Sequence, residues 1–314
     1  MSTASRPAGA TDSTSPSGPA GAWWGVVLHF GSVERTAACV ASLDPLGFAH
    51  VVLVDNGSGA PELDGLAAGR PWLRLVRNAD NLGYAAGNNV GLRLALAKGA
   101  GFVAVLNNDV VVEYPGMLAD AASCFQAHGR LGVMSPQVFY LARDWRELPV
   151  GSRFQRMLLR AADRDRGDAA PALPPPLRET DTFAGCSWMA PARVLAEVGL
   201  LREELFLYHE EVDLAVRLRR AGLRCGQVGA GKGRVLHYGS TARGHSPAQA
   251  YYCGRNAVLL LDGFPRSQRA RLLAGATAYV TRMSLRCVSA GRVGSAVASW
   301  QGYVAGLRGK RGSR

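Results

Sequence analysis

The sequence predicts an α/β fold with a mostly parallel sheet flanked by helices. Three observations carry that expectation. Short apolar runs alternate with stretches whose apolar residues recur at helical spacing, the pattern of βαβ units. The run Phe102-Val103-Ala104-Val105-Leu106 is continuously apolar, as a strand buried on both faces must be. It closes on Asn107-Asn108-Asp109, which brings polar groups to the C-terminal edge of the sheet, where open α/β sheets bind ligands.

Taken in order, Trp24 to Phe30 reads as a first strand, followed by a helix through about Leu43. His50 to Val54 is a second strand ending in Asp55-Asn56-Gly57-Ser58, and Trp72 to Arg77 is a short third. Tyr84 to Lys98 has helical spacing and leads into the Phe102–Leu106 strand. Met117 to His128 is a helix and Val133 to Tyr140 a strand. Residues 143–180 lack periodicity and carry Asp-Arg-Asp-Arg and Pro174-Pro175-Pro176, so a long variable loop or partly ordered insertion is expected. A short strand near Phe183 to Met189 precedes helices at Ala192–Val198 and about Glu211–Ala221. Cys225 to Val235 returns to the sheet, and from Ala248 onward the chain is mainly helical.

The chain has 314 residues, is 48% hydrophobic and carries a net charge of +12. That charge is uneven. From Phe264 to Arg314 there are ten basic residues and no Asp or Glu, which leaves +2 for everything before it. A neutral body with a basic C-terminal segment points to an anionic partner such as a membrane surface, a phosphorylated lipid or a nucleic acid. Residues 1–22, rich in Ser, Thr, Pro, Ala and Gly, read as a disordered tail without a signal-peptide core. Six scattered cysteines form no CxxC pair, which argues against a zinc site or a disulfide framework. With no apolar stretch of transmembrane length, a cytoplasmic protein is expected. The expected divisions are thus 1–22, 23–263 and 264–314.

The motifs each have two readings. Asp109 is a hard oxygen ligand of the kind Mg2+ or Mn2+ takes while also holding a diphosphate. It can equally end a strand in an Asx turn. Asp55, at the same edge, can accept from a nucleobase or a ribose, or merely make the turn that Asp-Asn-Gly-Ser favours. Asn81-Leu82-Gly83-Tyr84-Ala85-Ala86-Gly87-Asn88-Asn89 opens a helix, which suits phosphate binding or simple capping. It is not GxGxxG, and no such fingerprint follows the first strand, which argues against nicotinamide chemistry. In Phe206-Leu207-Tyr208-His209-Glu210-Glu211-Val212-Asp213, Asp213 can pair with Arg217 four residues on, and Glu211 is the acid left for chemistry. His237, after Val235-Leu236, is a ligand or a hydrogen-bonded core residue.

In this order the segments resemble family 2 glycosyltransferases, and within them the bacterial rhamnosyltransferase-like branch. The matching pieces are Val54–Ser58, Asn81–Gly91, Leu106–Asp109, Phe206–Asp213 with Arg217, His237, and Arg255-Asn256, across about residues 24–260. The resemblance implies a GT-A fold and transfer of a sugar from dTDP-L-rhamnose or a UDP-sugar to an acceptor hydroxyl, with inversion. It implies Glu211 as general base and a divalent metal (Mg2+ or Mn2+) on Asp109, completed by His237. Nucleotide-sugar contacts would come from Phe30, Asp55, Asn81, Gly83, Asn89, Asn108, Arg255 and Asn256. Two departures stand out: the usual Asp-x-Asp is Asn107-Asn108-Asp109, and the usual Glu-Asp is Glu210-Glu211.

The basic segment interleaves arginines with Leu272, Leu273, Tyr279, Val280, Met283, Leu285 and Val288, which fits peripheral contact with a membrane and a polyprenyl-diphosphate-linked acceptor. No nucleic-acid partner is expected, since the body has no nucleic-acid module. The rival readings are a sugar nucleotidyltransferase, a catalytically dead sugar-binding relative, and a basic nucleic-acid- or membrane-binding protein without catalysis. The first needs a Gly-rich basic loop that His29 to Arg35 does not provide.

Overall fold

A computed structural model describes residues 21–140, 146–147, 152–166, 177–227, 234–239 and 245–314. The expected N-terminal tail lies almost wholly outside the described residues, as does much of the stretch 143–180.

Three βα units come first: β1 (Trp23–His29) and α1 (Val33–Leu43), β2 (His50–Asn56) and α2 (Glu62–Ala67), β3 (Leu73–Asn78) and α3 (Gly83–Ala97). Then follow β4 (Phe102–Asn107), β5 (Val110–Glu113), α4 (Met117–Ala127), β6 (Leu131–Ser135), β7 (Val138–Tyr140) and β8 (Arg146–Glu147). The chain continues through α5 (Arg153–Arg166), β9 (Arg178–Thr180), β10 (Ser187–Pro191), α6 (Ala192–Val198) and α7 (Glu210–Arg220). It closes with β11 (Arg224–Gln227), β12 (Arg234–His237), α8 (Pro247–Leu259), α9 (Arg266–Ser289) and α10 (Val293–Leu307).

Eight strands form the main sheet in the order β3-β2-β1-β4-β10-β6-β11-β9. β3, β2, β1 and β4 are mutually parallel, and β10 and β9 run against their neighbours. The central strands are apolar without alternation because helices cover both faces: Val26, Val27, Val51 to Val54 and Val103 to Leu106 are all buried. α3 lies against β1 through glycines one turn apart. A Cβ on Gly87 would come within 2.6 Å of Leu28, and one on Gly91 within 2.5 Å of Val26.

A second sheet, β5-β12-β7-β8, stands beside the first. Nothing in the sequence pattern predicts it. The expected strand 133–140 is two strands in two sheets, because Pro136 between them cannot donate to a ladder. The expected strand 225–235 likewise divides into β11 in the main sheet and β12 in the second. Within 143–180, α5 replaces an expected loop. Its apolar face, Phe154, Leu158, Leu159, Ala161 and Ala162, is buried, but arginines at every third or fourth position mask it in the sequence.

The basic C-terminal segment is helical and packs on α8. Ser246 and Gln249 cap α8 reciprocally. Small residues then bring α8 and α10 into backbone contact: a Cβ on Gly302 would lie 1.9 Å from the Tyr251 carbonyl oxygen.

Candidate active site

Asp109 sits where the two sheets meet, between the end of β4 and the start of β5. β12 runs antiparallel to β5 with His237 opposite Val110, and β7 runs parallel to β12 with Tyr140 opposite His237. Register therefore gathers Asp109, His237 and Tyr140. His237 Nε2 is 3.2 Å from Asp109 Oδ1, and the Tyr140 ring stands edge-on to the imidazole at 5.1 Å. Tyr140 Oη is 3.9 Å from Cys186 Sγ, and Asn107 N–H donates to the Cys186 carbonyl at 2.9 Å. A Cβ on Gly239 would come within 2.6 Å of the His237 ring and 3.0 Å of Asp109 Oδ2, so only bare backbone closes over the pair.

Burial pushes the Asp109 carboxyl up, but His237 and then Arg35 outweigh it and hold the group below the ordinary carboxylate range. Among the described residues, His29 Nε2, Asn107 Oδ1 and His237 Nδ1 are buried without hydrogen-bond partners. Buried polar atoms are normally paired, so orphans collected at the ends of β1, β4 and β12 mark a place that a ligand completes. The donors there, a carboxylate and an imidazole, suit a divalent ion. Among the described residues no group of three His, Cys, Asp or Glu side chains is arranged to hold a metal ion. An ion here would have two protein ligands at most, and Mg2+ or Mn2+ accepts that when diphosphate and water fill the rest.

The second half of the site is the segment before α7. Phe206, Tyr208 and His209 have φ of 61°, 72° and 73°, a left-handed backbone that side chains disfavour. Neighbours hold it there. Asn256 Nδ2 donates to the carbonyls of Leu205, Leu207 and Tyr208 at 2.9, 2.9 and 2.8 Å, and Arg255 donates to Leu205 at 2.7 Å. Tyr84 N–H donates to the Phe206 carbonyl at 2.6 Å, and a Cβ on Gly83 would be 2.4 Å from that oxygen. The strained turn sets Glu210 and Glu211 at the start of α7. Burial pushes Glu211 up to about 7. Burial and the Glu211 charge push Glu210 up to about 8. Glu211 is half-buried, while Glu210 is fully buried with Oε1 unpartnered. Burial dominates the upward shifts of Tyr140 and Cys186, and the Glu211 charge adds to the first and the Asp109 charge to the second. Asp213 pairs with Arg217 at 2.8 Å as the spacing predicts.

The remaining expected site residues divide into two groups. Phe30 is 57% exposed at the end of β1, and Asn108 beside it donates to the Thr36 hydroxyl at 2.9 Å. Asp55 is buried; its Oδ1 accepts from Ser58 N–H and hydroxyl, and its Oδ2 from Arg77 at 2.6 Å. That occupies about three of the four acceptor positions of a carboxylate. Asn81 accepts from Asn56 at 2.9 Å and from Gly83 N–H at 2.8 Å. Asn89 is buried and clips Leu201 and Glu203 to α3. Against expectation, then, Asn81, Gly83, Asn89, Arg255 and Asn256 are engaged in building loops. Their polar groups face backbone, because amides and guanidinium are what a turn without regular pairing needs. The sequence did not single out His29, Tyr140, Cys186 or His209; strand register would have been needed to find them.

No protein-family model matches the chain. It is 28% identical over 195 residues to the low-salt glycan biosynthesis hexosyltransferase Agl10 of Haloferax volcanii, covering 58% of this chain and 57% of that one. It is 31% identical over 179 residues to galactofuranosyltransferase GlfT1 of Mycobacterium tuberculosis, covering 56% of this chain and 57% of that one. The chain thus spans little more than half the length of these relatives. In three dimensions it superposes on the crystal structure of GalNAc-T7 with UDP, GalNAc and Mn2+ with a TM-score of 0.54, at 14% identity, covering 78% of this chain and 48% of the other. The fold is GT-A. Within it, β4 ends where the second sheet begins, and β5 and β12 of that sheet bring His237 to Asp109.

Proposed function

We propose that the chain transfers a sugar from a nucleoside diphosphate to an acceptor hydroxyl. The observation that carries this is the Asp109–His237 pair at 3.2 Å beyond the end of β4, together with a half-buried carboxylate, Glu211, set at the start of α7 by a strained turn. An anion-neutralising site and a carboxylate base are what displacement of a diphosphate by a hydroxyl requires. The two relatives, both named as sugar transferases, support the reading.

Glu211 accepts the acceptor's proton. Its carboxyl, raised to about 7, is matched to a hydroxyl that sheds its proton only as the new bond forms. Asp109 and His237 would hold a divalent ion, which when bound neutralises charge on a leaving diphosphate. Phe30, exposed at the rim, offers a face to the nucleobase, with Asp55 and Arg77 behind it. Asn81, Gly83, Asn89, Arg255 and Asn256 act by positioning the acid-bearing turn. The resemblance to the rhamnosyltransferase-like branch favours dTDP-L-rhamnose, with a UDP-sugar as the second candidate, in building a cell wall or polysaccharide.

Peripheral membrane contact belongs to the same proposal. Among the described residues no helix is long and apolar enough to cross a membrane. Yet Val293, Val297, Trp300, Val304 and Leu307 form an exposed stripe along α10, with Arg292 before it and Arg308, Lys310 and Arg311 after. An apolar stripe with basic ends suits an anionic bilayer surface.

The test of catalysis is Glu211→Gln. Donor binding should persist while kcat falls roughly 10²–10⁴-fold, and the acidic limb of the wild-type pH profile should lie near 7. Normal turnover by this variant would remove Glu211 as base.

A further inference from the structure

Away from the sheet edge, a cavity of about 1160 Å³ opens between α5 and α9. Among the described residues eight arginines line it and no carboxylate does. Six of them, Arg153, Arg160, Arg164, Arg271, Arg282 and Arg286, have no ion-pair partner among the described residues. Elsewhere Arg202, Arg217, Arg219, Arg224 and Arg311 each meet a carboxylate. Unpaired like charges facing one another across a groove repel, and an anion between them relieves that repulsion.

The floor is of another character. Phe154, Met157, Tyr279 and Met283 line it, with Phe154 stacked on Tyr279 at 5.4 Å. Free phosphate would have no use for such a floor. An amphiphile would use both parts. The position agrees: Leu285 and Val288, on the same turns of α9 as Arg282 and Arg286, are 63% and 52% exposed, so the groove opens beside apolar surface. Its inner end is Tyr279, whose ring meets His209 edge-on at 5.6 Å, and His209 directly precedes Glu210 and Glu211.

We propose that this groove binds the head of a phosphate- or diphosphate-bearing lipid, with the start of its tail on the aromatic floor. The binding stands on the groove alone; the further step, that this lipid is the acceptor, rests on the transferase reading above. Arginine suits phosphate because its fork presents paired donors to two oxygens.

Direct binding by the full chain tests it without turnover. The probes are farnesyl diphosphate, inorganic diphosphate and farnesol, measured by calorimetry against wild type and against Arg160→Gln/Arg282→Gln. Farnesyl diphosphate should bind more tightly than either of the others. The double variant should bind it roughly thirtyfold more weakly, with unchanged thermal unfolding and unchanged affinity for UDP and dTDP. Equal affinity of variant and wild type for farnesyl diphosphate would overturn the groove. Inorganic diphosphate binding as tightly as farnesyl diphosphate would overturn the lipid and leave a simple anion site. Loss of nucleotide binding in the wild type would count against the transferase reading and leave the groove result standing.

Discussion

Asn256→Ala should cost about 3 kcal/mol of folding stability, although Asn256 lies outside the sheet and its edge. Its single NH2 group faces three carbonyls at 2.8 to 2.9 Å, and its Oδ1 accepts from Arg255 Nε at 3.0 Å. Two hydrogens can make two full bonds and share the third acceptor. A net hydrogen bond is worth about 1 kcal/mol, and a buried acceptor left bare costs about 1–3 kcal/mol. Two bonds lost, with water able to reach some of the carbonyls, gives the figure of about 3 kcal/mol. The same number is about what three left-handed residues cost at roughly 1 kcal/mol each, so the Asn256 bonds offset the strain of Phe206, Tyr208 and His209. Without them the turn should relax and carry Glu211 off its position. Urea unfolding measures the first effect. Steady-state kinetics measure the second: kcat should fall more than donor KM rises. A stability loss below 1 kcal/mol together with normal kcat would refute the assignment.

Three further outcomes follow from the site and the surface. Asp109→Ala should abolish the dependence of UDP or dTDP affinity on Mn2+, as titration with and without the metal would reveal; retained dependence removes Asp109 from the metal site. Glu210→Gln concerns stability: the folded carboxyl, raised to about 8, keeps a proton that an unfolded one releases near 4.5. Its stabilising contribution is therefore whole below pH 4.5 and lost as pH rises through 8. The variant, which mimics the protonated acid, should exceed wild type by on the order of a few kcal/mol at pH 9 and match it at pH 4 by denaturant unfolding; a variant less stable at pH 9 contradicts the burial argument. Finally, Val297→Glu/Val304→Glu should lose co-flotation with phosphatidylglycerol vesicles; full retention would dismiss the α10 stripe as a membrane contact.

The sheet was legible because its central strands are buried on both faces, and continuous apolar runs as short as Val51–Val54 and Val103–Leu106, bounded by turn residues, suit a buried strand better than a helix. The second sheet was not, because its strands are short and its partners distant: β5 pairs with β12 more than a hundred residues away. Among site residues, Asp109, Glu211 and His237 were legible as chemistry-bearing types at strand and helix ends, and the structure sets His237 3.2 Å from Asp109. The amides were not. Asn81, Asn89 and Asn256 have the same composition whether they hold a sugar or a turn, and only the direction of the side chain separates the two. α5 was hidden for a related reason. An arginine-rich helix with one buried stripe looks like a polar loop until the groove that uses those arginines is seen.

One segment connects the two halves of the proposed reaction. At Phe206 it docks on Gly83 and Tyr84 at the N-terminus of α3, the side on which the nucleotide sugar would lie, and its ring stacks on Tyr252 at 5.1 Å. At His209 it docks on Tyr279, the inner wall of the arginine groove. Burial holds His209 down to about 4, so it stays neutral at physiological pH and adds no charge beside the acids. Between these anchors lie the left-handed residues, and Glu211 follows them. A relaxed turn here could not reach both neighbours, because extended backbone at Tyr208 and His209 would swing the start of α7 away from one of them. On the proposed reading, the strain held by Asn256 and Arg255 is what sets Glu211 between the proposed donor site and the proposed acceptor groove.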